Sequence, residues 1–327
     1  MLKNQWKKRF WLALVVLLMV IYPLLIGYSN YYLTLFSITC IYIISSLSLN
    51  ILVGYGGQVS VGHAGFLVIG SYTVAILGER GVPFIVSFLM AGIVSGLIGL
   101  LIGLPAVRLR GHFLAVATLG FGLSMPLIIL NWDSLTKGYQ GMAVARPGFL
   151  SSDTAFFYII VAVTVFITWF VRNIVSSHLG RAFVAIRDSE VAAQAMGIHV
   201  AFYKTLMFVI SAFFTGLAGG LYAYWLGYIS PTDFSVTTSF LLLAMIVVGG
   251  LASMPGAIIG TILFSLLPHF TEHLIGMSSI VIGSAMAFII LFRPEGLVSL
   301  KKLLNRKRNR TVPDDRKPLI SQQVGGE

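Results

Sequence analysis

The chain alternates long apolar blocks with short polar links. Apolar runs cover residues 10–27, 31–53, 84–104, 113–130, 155–171, 205–227, 239–267 and 277–292. A helix rises 1.5 Å per residue, so roughly 20 residues cross the hydrocarbon core of a bilayer. Each of these blocks therefore predicts a membrane-spanning helix or more. The run 66–77 is too short alone. Extended back to Gln58 it becomes long enough, but then takes in Gln58, Ser60 and His63. The block 239–267 is too long for one span, and Gly249-Gly250 and Ser253-Met254-Pro255-Gly256 interrupt it. Gly92 and Gly96, Gly99 and Gly103, Gly216 and Gly220, and Gly256 and Gly260 each stand four apart. That spacing lets helices approach closely. The pattern predicts an all-α polytopic membrane bundle.

Charge orients the bundle. Lys3, Lys7, Lys8 and Arg9 place the N-terminus in the cytoplasm, because basic residues collect on that side. Alternating crossings then put Arg108, Arg110, Arg172, Arg181, Arg187 and Lys204 inside, and only Arg80, Lys137 and Arg146 outside. The basic tail after 293 should also lie inside. A single crossing by 239–267 would leave it outside, so the helix is expected to break near 249–256. The expected total is about ten segments, with both termini cytoplasmic. Residues 1–300 form one transmembrane domain in this reading, and 301–327 a basic, partly disordered tail. The N-terminus resembles a signal peptide but lacks a small-residue cleavage site, so it reads as an uncleaved first span.

Composition agrees and excludes other classes. Hydrophobic residues make up 57% of the chain and charged residues 10%, against about 25% charged in soluble domains. The net charge of +11 is distributed as cytoplasmic loop bias, not as a nucleic-acid surface. The single cysteine, Cys40, excludes a disulfide framework and a cysteine-based metal site.

Three constellations could carry chemistry. The first is the stretch from Gly54 to Phe66, with five glycines, Gln58, Ser60 and His63. It reads either as a broken helix start lining a polar route or as a tight cytoplasmic turn. The second is His269-Phe270-Thr271-Glu272-His273. Its H-x-x-E-H spacing suits an inverted zinc protease, but it occupies a short link and no acidic cluster offers a third ligand, so chance spacing is favoured over an intramembrane metalloenzyme. The third is 180–198. Asp188 is expected to cap a short helix whose first turn carries Glu190, with Gly197 ending it. Such a small, smooth helix suits docking in a groove of another protein, the competing reading being a helix lying on lipid. All eleven acidic residues fall in links, loops or the tail. That argues against ion coupling within the spans. No GxxxxGK[ST] phosphate loop occurs either, so the energy source is expected in other subunits, and no cofactor is expected.

Several motifs, in order along the chain, resemble the permease subunits of branched-chain amino-acid (Leu/Ile/Val) ABC importers, a family with urea and short-amide relatives. They are Leu49-Asn50 with Gly54-Tyr55-Gly56-Gly57-Gln58-Val59-Ser60-Val61-Gly62-His63-Ala64-Gly65-Phe66, Leu109-Arg110-Gly111-His112-Phe113-Leu114-Ala115 with Thr118-Leu119-Gly120-Phe121-Gly122, the 180–198 segment, Ser211-Ala212 with Gly216-Leu217-Ala218-Gly219-Gly220, Val248-Gly249-Gly250 with Pro255-Gly256, and Arg293-Pro294-Glu295-Gly296-Leu297. The second motif looks like the longer of the two permease types.

The resemblance implies an inner-membrane heterodimer with a second permease, two cytoplasmic ATP-binding subunits and an extracytoplasmic solute-binding protein. It implies that Gln58, Ser60, Gly62 and His63, with Thr118 and Gly120, sit near the solute route. It also implies that Arg181, Arg187, Glu190, Ala193 and Gly197 belong to a coupling helix, and Gly249, Gly250, Pro255 and Gly256 to the helix break. His112 stands where the family commonly has an acidic residue. Thr136-Lys137-Gly138 stands where it commonly has Thr-Gly-Gly. These departures bear on partner and substrate more than on fold. Urea or a short amide is the alternative cargo, and a secondary carrier the alternative machine.

Overall fold

The computed structural model describes residues 29–109, 111–271 and 283–284. The expected spans 10–27 and 277–292, and the tail, lie outside that description apart from 283–284. Helix α1, Asn30–Asn50, runs on through a π-helical turn, Ile51–Tyr55. Helices α2 (His63–Glu79), α3 (Phe84–Ala106) and α4 (His112–Asn131) follow. A short turn, α5 (Asp133–Thr136), opens an irregular loop. Next come α6 (Asp153–Ser176), α7 (His178–Asp188), α8 (Glu190–Ala195) and α9 (Val200–Leu226). The described chain closes with α10 (Val236–Gly249) and α11 (Met254–Thr271). Among the described residues, six segments are long and apolar enough to span a membrane, and two shorter apolar helices, His63–Glu79 and Met254–Leu267, lie among them. The protein is an all-α, multi-pass integral membrane protein.

Contacts among the links define two ends of the bundle. One holds the loop between α5 and α6. There Lys137 pairs with Glu79, and β1 (Met142–Ala143) pairs antiparallel with β2 (Tyr228–Ile229). Arg146 fastens this end. It donates to the carbonyls of Tyr224 (2.7 Å) and Trp225, pairs with Asp153, and lies 5.0 Å from the Phe156 ring and 5.1 Å from the Trp225 ring. Tyr224 and Trp225 are in the last turn of α9, where carbonyls lack intrahelical partners, so Arg146 supplies donors the helix cannot. The other end holds α7, α8, Arg108 and Arg172.

Helix α9 packs between α2 and α3 and also against α1. Size, not polarity, decides which face turns inward. On α3, Gly92, Gly99 and Gly103 meet Leu217, Ala212 and Phe208 of α9, whereas Ile85, Leu89, Ile93, Leu97, Leu101 and Leu104 are exposed. With lipid as apolar as leucine, close backbone approach drives such packing. The α2–α9 crossing is tighter: a Cβ on Gly70 would lie 2.1 Å from the Gly216 carbonyl oxygen.

Two expectations need correction. The third span begins at His63 rather than Gln58, because residues 56–62 are irregular. Pro255 and Gly256 lie inside the first turn of α11, not in the interruption itself. Proline fits there because first-turn N–H groups have no intrahelical acceptor. The block 239–267 consists of two antiparallel helices joined at 250–253. Gly249 faces Gly256 and Gly260 faces Met245, each with a Cβ position only 2.0 Å from a carbonyl oxygen. Gly250 takes φ 120°, a conformation open to glycine alone.

Candidate functional site

The glycine stretch is an unwound crossing inside the bundle. After the π-helical turn, the amide of Gln58 still donates to the Leu52 carbonyl at 3.1 Å. The chain then runs without regular structure to the start of α2. Gln58, Ser60 and His63 are all buried. His63 Nδ1 stands 3.1 Å from Ser60 Oγ, and Nε2 stands 2.7 Å from Ser211 Oγ of α9. The amide of Ala64 donates to Ser239 Oγ of α10 at 2.9 Å. The amide of Val61 donates to Thr118 Oγ1 of α4 at 3.1 Å. Buried backbone freed from a helix needs partners, and here Thr118 of α4 and Ser239 of α10 supply them.

Gly62 and Thr118 mark a close crossing: a Cβ on Gly62 would lie 2.1 Å from the Thr118 carbonyl oxygen. Gly120 differs. It is exposed, and a Cβ there would meet nothing within 4 Å. Most of α4 beyond Leu114, Thr118, Gly122 and Ile129 is similarly open.

The segment 180–198 is two helices, not one. Helix α7 ends at Asp188, and Ser189 caps α8, its hydroxyl accepting from the Ala192 amide at 3.2 Å. Asp188 is thus not the cap. Its carboxylate instead accepts from Arg187 Nη2 at 2.9 Å. Gly197 closes α8 at φ 82°. The amides of Gly197 and Ile198 bond back to the carbonyls of Gln194 and Ala193, each at 3.0 Å, forming a Schellman cap. Ala193 faces inward, whereas Val191 and Met196 are 77% and 83% exposed. Beside them lies an open groove of about 640 Å³, lined by Val107, Gln194, Ile198 and Phe202 among others. Arg181 stays at the surface, with Nη2 2.8 Å from His178 Nδ1.

The inner side of this segment is tied down. Arg187 Nη1 donates to the Gly54 carbonyl at 3.1 Å. Glu190 pairs at 2.5 Å with Lys204, whose side chain is only 5% exposed. Asn50, at the end of α1, accepts from the Ala252 amide (3.1 Å) and donates to the Ser253 carbonyl (3.2 Å). Asn50, Lys204, Ser211 and Ser239 were given no site role from sequence, although Asn50 and Ser211 stand within the motifs quoted above. Polar residues near the ends of apolar blocks were the available signal for Asn50 and Lys204.

Glu272, His273 and the side chain of His269 lie outside the described residues. Among the described residues no cluster of three His, Cys, Asp or Glu side chains could hold a metal.

Comparison with known proteins adds to this geometry. The model of a family described as "Branched-chain amino acid transport system / permease component" matches residues 31–292. The chain is 31% identical to the high-affinity branched-chain amino acid transport system permease protein LivM of Escherichia coli (strain K12), over 90% of this chain and 76% of that protein. It is 25% identical to the corresponding permease protein BraD of Pseudomonas aeruginosa, over 79% of this chain and 91% of that protein. It is 24% identical to the LivH permease protein of Salmonella typhimurium, again over 79% and 91%. No solved structure matches the chain.

Proposed function

The chain belongs to the permease family of branched-chain amino acid ABC transporters, and on that premise we propose that it forms half of an ATP-driven import path. A second permease of the same family supplies the other half. LivM-like and LivH-like relatives both align with this chain, which supports a pair. Two cytoplasmic ATP-binding subunits and an external solute-binding protein complete the machine, and branched-chain amino acids are its cargo.

One observation carries the coupling assignment. Helix α8 and its cap turn Val191 and Met196 to solvent beside a groove, while Glu190 is fixed to buried Lys204. Apolar side chains on a short, tethered helix suit insertion into a groove of another protein. Helix α8 of the 180–198 segment is therefore the part an ATPase grips. The basic end of the bundle faces the cytoplasm of the inner membrane. Two further spans, 10–27 and 277–292, bring the count to ten and both termini inside. Residues 1–300 make the permease and 301–327 a cytoplasmic tail.

Ser60 and His63 hold the unwound crossing behind the path wall, with Gly62 and Thr118 in the same contact. Gln58 borders a polar cavity of about 260 Å³ together with Arg187, Glu190 and Lys204. Gly120, on the open face of α4, is the candidate closest to the path or to the second permease. The test is uptake by the reconstituted complex. Glu190→Gln and Gly197→Val are expected to leave assembly intact and to lower uptake per ATP hydrolysed at least five-fold. Unchanged coupling in both variants contradicts the assignment.

A further inference from the structure

Arg187 of α7 and Asn50 of α1 reach the same few atoms of glycine backbone from opposite sides. Arg187 Nη1 holds the Gly54 carbonyl at 3.1 Å, and its own stem lies close over Gly57, where a Cβ would come 2.7 Å from Arg187 Cγ. Gly57 has φ 65°, a left-handed conformation that suits glycine. Asn50 lies directly behind Gly54: a Cβ there would stand 2.0 Å from Asn50 Oδ1 and 2.5 Å from the Ala252 amide nitrogen. The fully buried Asn50 side chain uses both ends of its amide on the turn between α10 and α11. It accepts from the Ala252 N–H and donates to the Ser253 C=O. Ala252 is held at φ 55°, which an L-residue adopts only where its surroundings impose it.

We propose that Asn50 and Arg187 are positioning residues that join the 180–198 segment to the α10–α11 turn through Gly54, so that a pull on the segment moves the helix hairpin with it. The proposal rests on the coupling assignment above and extends it inward. Coupling between distant sites is carried by packed side chains and hydrogen-bond chains that connect rigid elements. Every link here is a direct contact, and three of the positions are glycines or backbone groups that leave no slack. The pair between buried Lys204 and partly exposed Glu190 adds a second tether, from α8 to the start of α9. Arg187 thus acts inward, on the permease itself, and not only as a surface contact for an ATPase.

The experiment uses the full complex in proteoliposomes, with its binding protein and radiolabelled leucine as probe. Asn50→Leu removes both amide bonds at similar volume. It is expected to lower leucine uptake at least ten-fold while ATP hydrolysis stays within two-fold and the ATPases co-purify in the wild-type ratio. Asn50→Asp keeps the acceptor for the Ala252 amide and is expected to recover at least a third of wild-type uptake. A purely structural role would lower assembly and hydrolysis together, without this separation. If Asn50→Leu does not assemble, Arg187→Leu at the half-exposed end of the relay decides, with the same ten-fold loss expected. Uptake within two-fold of wild type in the assembled variant overturns the proposal. Should Glu190→Gln and Gly197→Val uncouple in that same preparation, the relay alone is wrong. Should they transport normally as well, the coupling assignment falls with it.

Discussion

His63 Nε2 stands 2.7 Å from Ser211 Oγ, and Ser211 Oγ donates its own proton to the Ser48 carbonyl at 2.8 Å. Ser211 can therefore only accept from His63, which assigns the Nε2–H tautomer and leaves Nδ1 to accept from Ser60. One neutral imidazole thus ties the unwound crossing to α9, and through Ser211 to α1.

His63→Ala is expected to destabilise the protein by about 2–4 kcal/mol, from a buried cavity and unsatisfied hydroxyls. Uptake should fall with the amount of folded protein, and the KM of the remainder should not change. Thermal unfolding in detergent, paired with uptake kinetics, checks this. A raised KM with unaltered melting would instead put the imidazole in the solute's route.

Two glycines on either side of the Thr118 contact should behave oppositely. Gly62→Ala forces a Cβ to within 2.1 Å of a backbone oxygen, whereas at Gly120 nothing lies within 4 Å. The first substitution is expected to destabilise by roughly 1–3 kcal/mol, as overpacking does. The second should be neutral or stabilising by up to about 1 kcal/mol in the isolated chain, since alanine favours the helix. Melting of the purified chain separates the two. Equal losses would mean that α4 is packed on a face the structure shows as open.

Much of this was legible in the pattern of residues. The 239–267 block exceeds one span, and Gly249-Gly250 with Pro255 allows only a break nearby. The end of the docking segment was readable from Gly197, because a left-handed C-cap favours glycine. Its start was not: Asp188 and Ser189 are both good caps, and only the backbone shows that Ser189 takes the role while Asp188 pairs with Arg187. The inward roles of Asn50 and Lys204 were hidden for a similar reason. A polar residue at the end of an apolar block looks like a boundary marker until its partner, 202 residues away for Asn50 and Ala252, is known. For Ser60 and His63, sequence marked the stretch as unusual but not which way the side chains point.

Arg146 supplies three donors and two ring contacts at the C-terminal end of α9. Arg146→Ala is expected to cost about 1–3 kcal/mol, because it leaves helix-end carbonyls bare, while the exposed Asp153 carboxylate adds little. Arg146→Lys should recover only part, since an ammonium cannot span that fork of acceptors. Chemical or thermal denaturation of the three proteins ranks them. A loss below 1 kcal/mol in Arg146→Ala would show that water replaces the guanidinium.

The proposed ten-crossing topology sets what a topology reporter should read. A reporter fused after Arg293 is expected to be active as a cytoplasmic fusion, as is one placed before Lys3. A periplasmic signal at the C-terminal fusion would remove the tenth crossing.

The most direct test of the central claim is uptake of radiolabelled leucine into proteoliposomes in which components are omitted one at a time. With both permeases, the two ATPases, the binding protein and ATP present, leucine is expected to accumulate. Omission of any one should reduce uptake to the level of empty vesicles. Leucine uptake by this chain alone, driven by a proton or sodium gradient without ATP, would contradict the account.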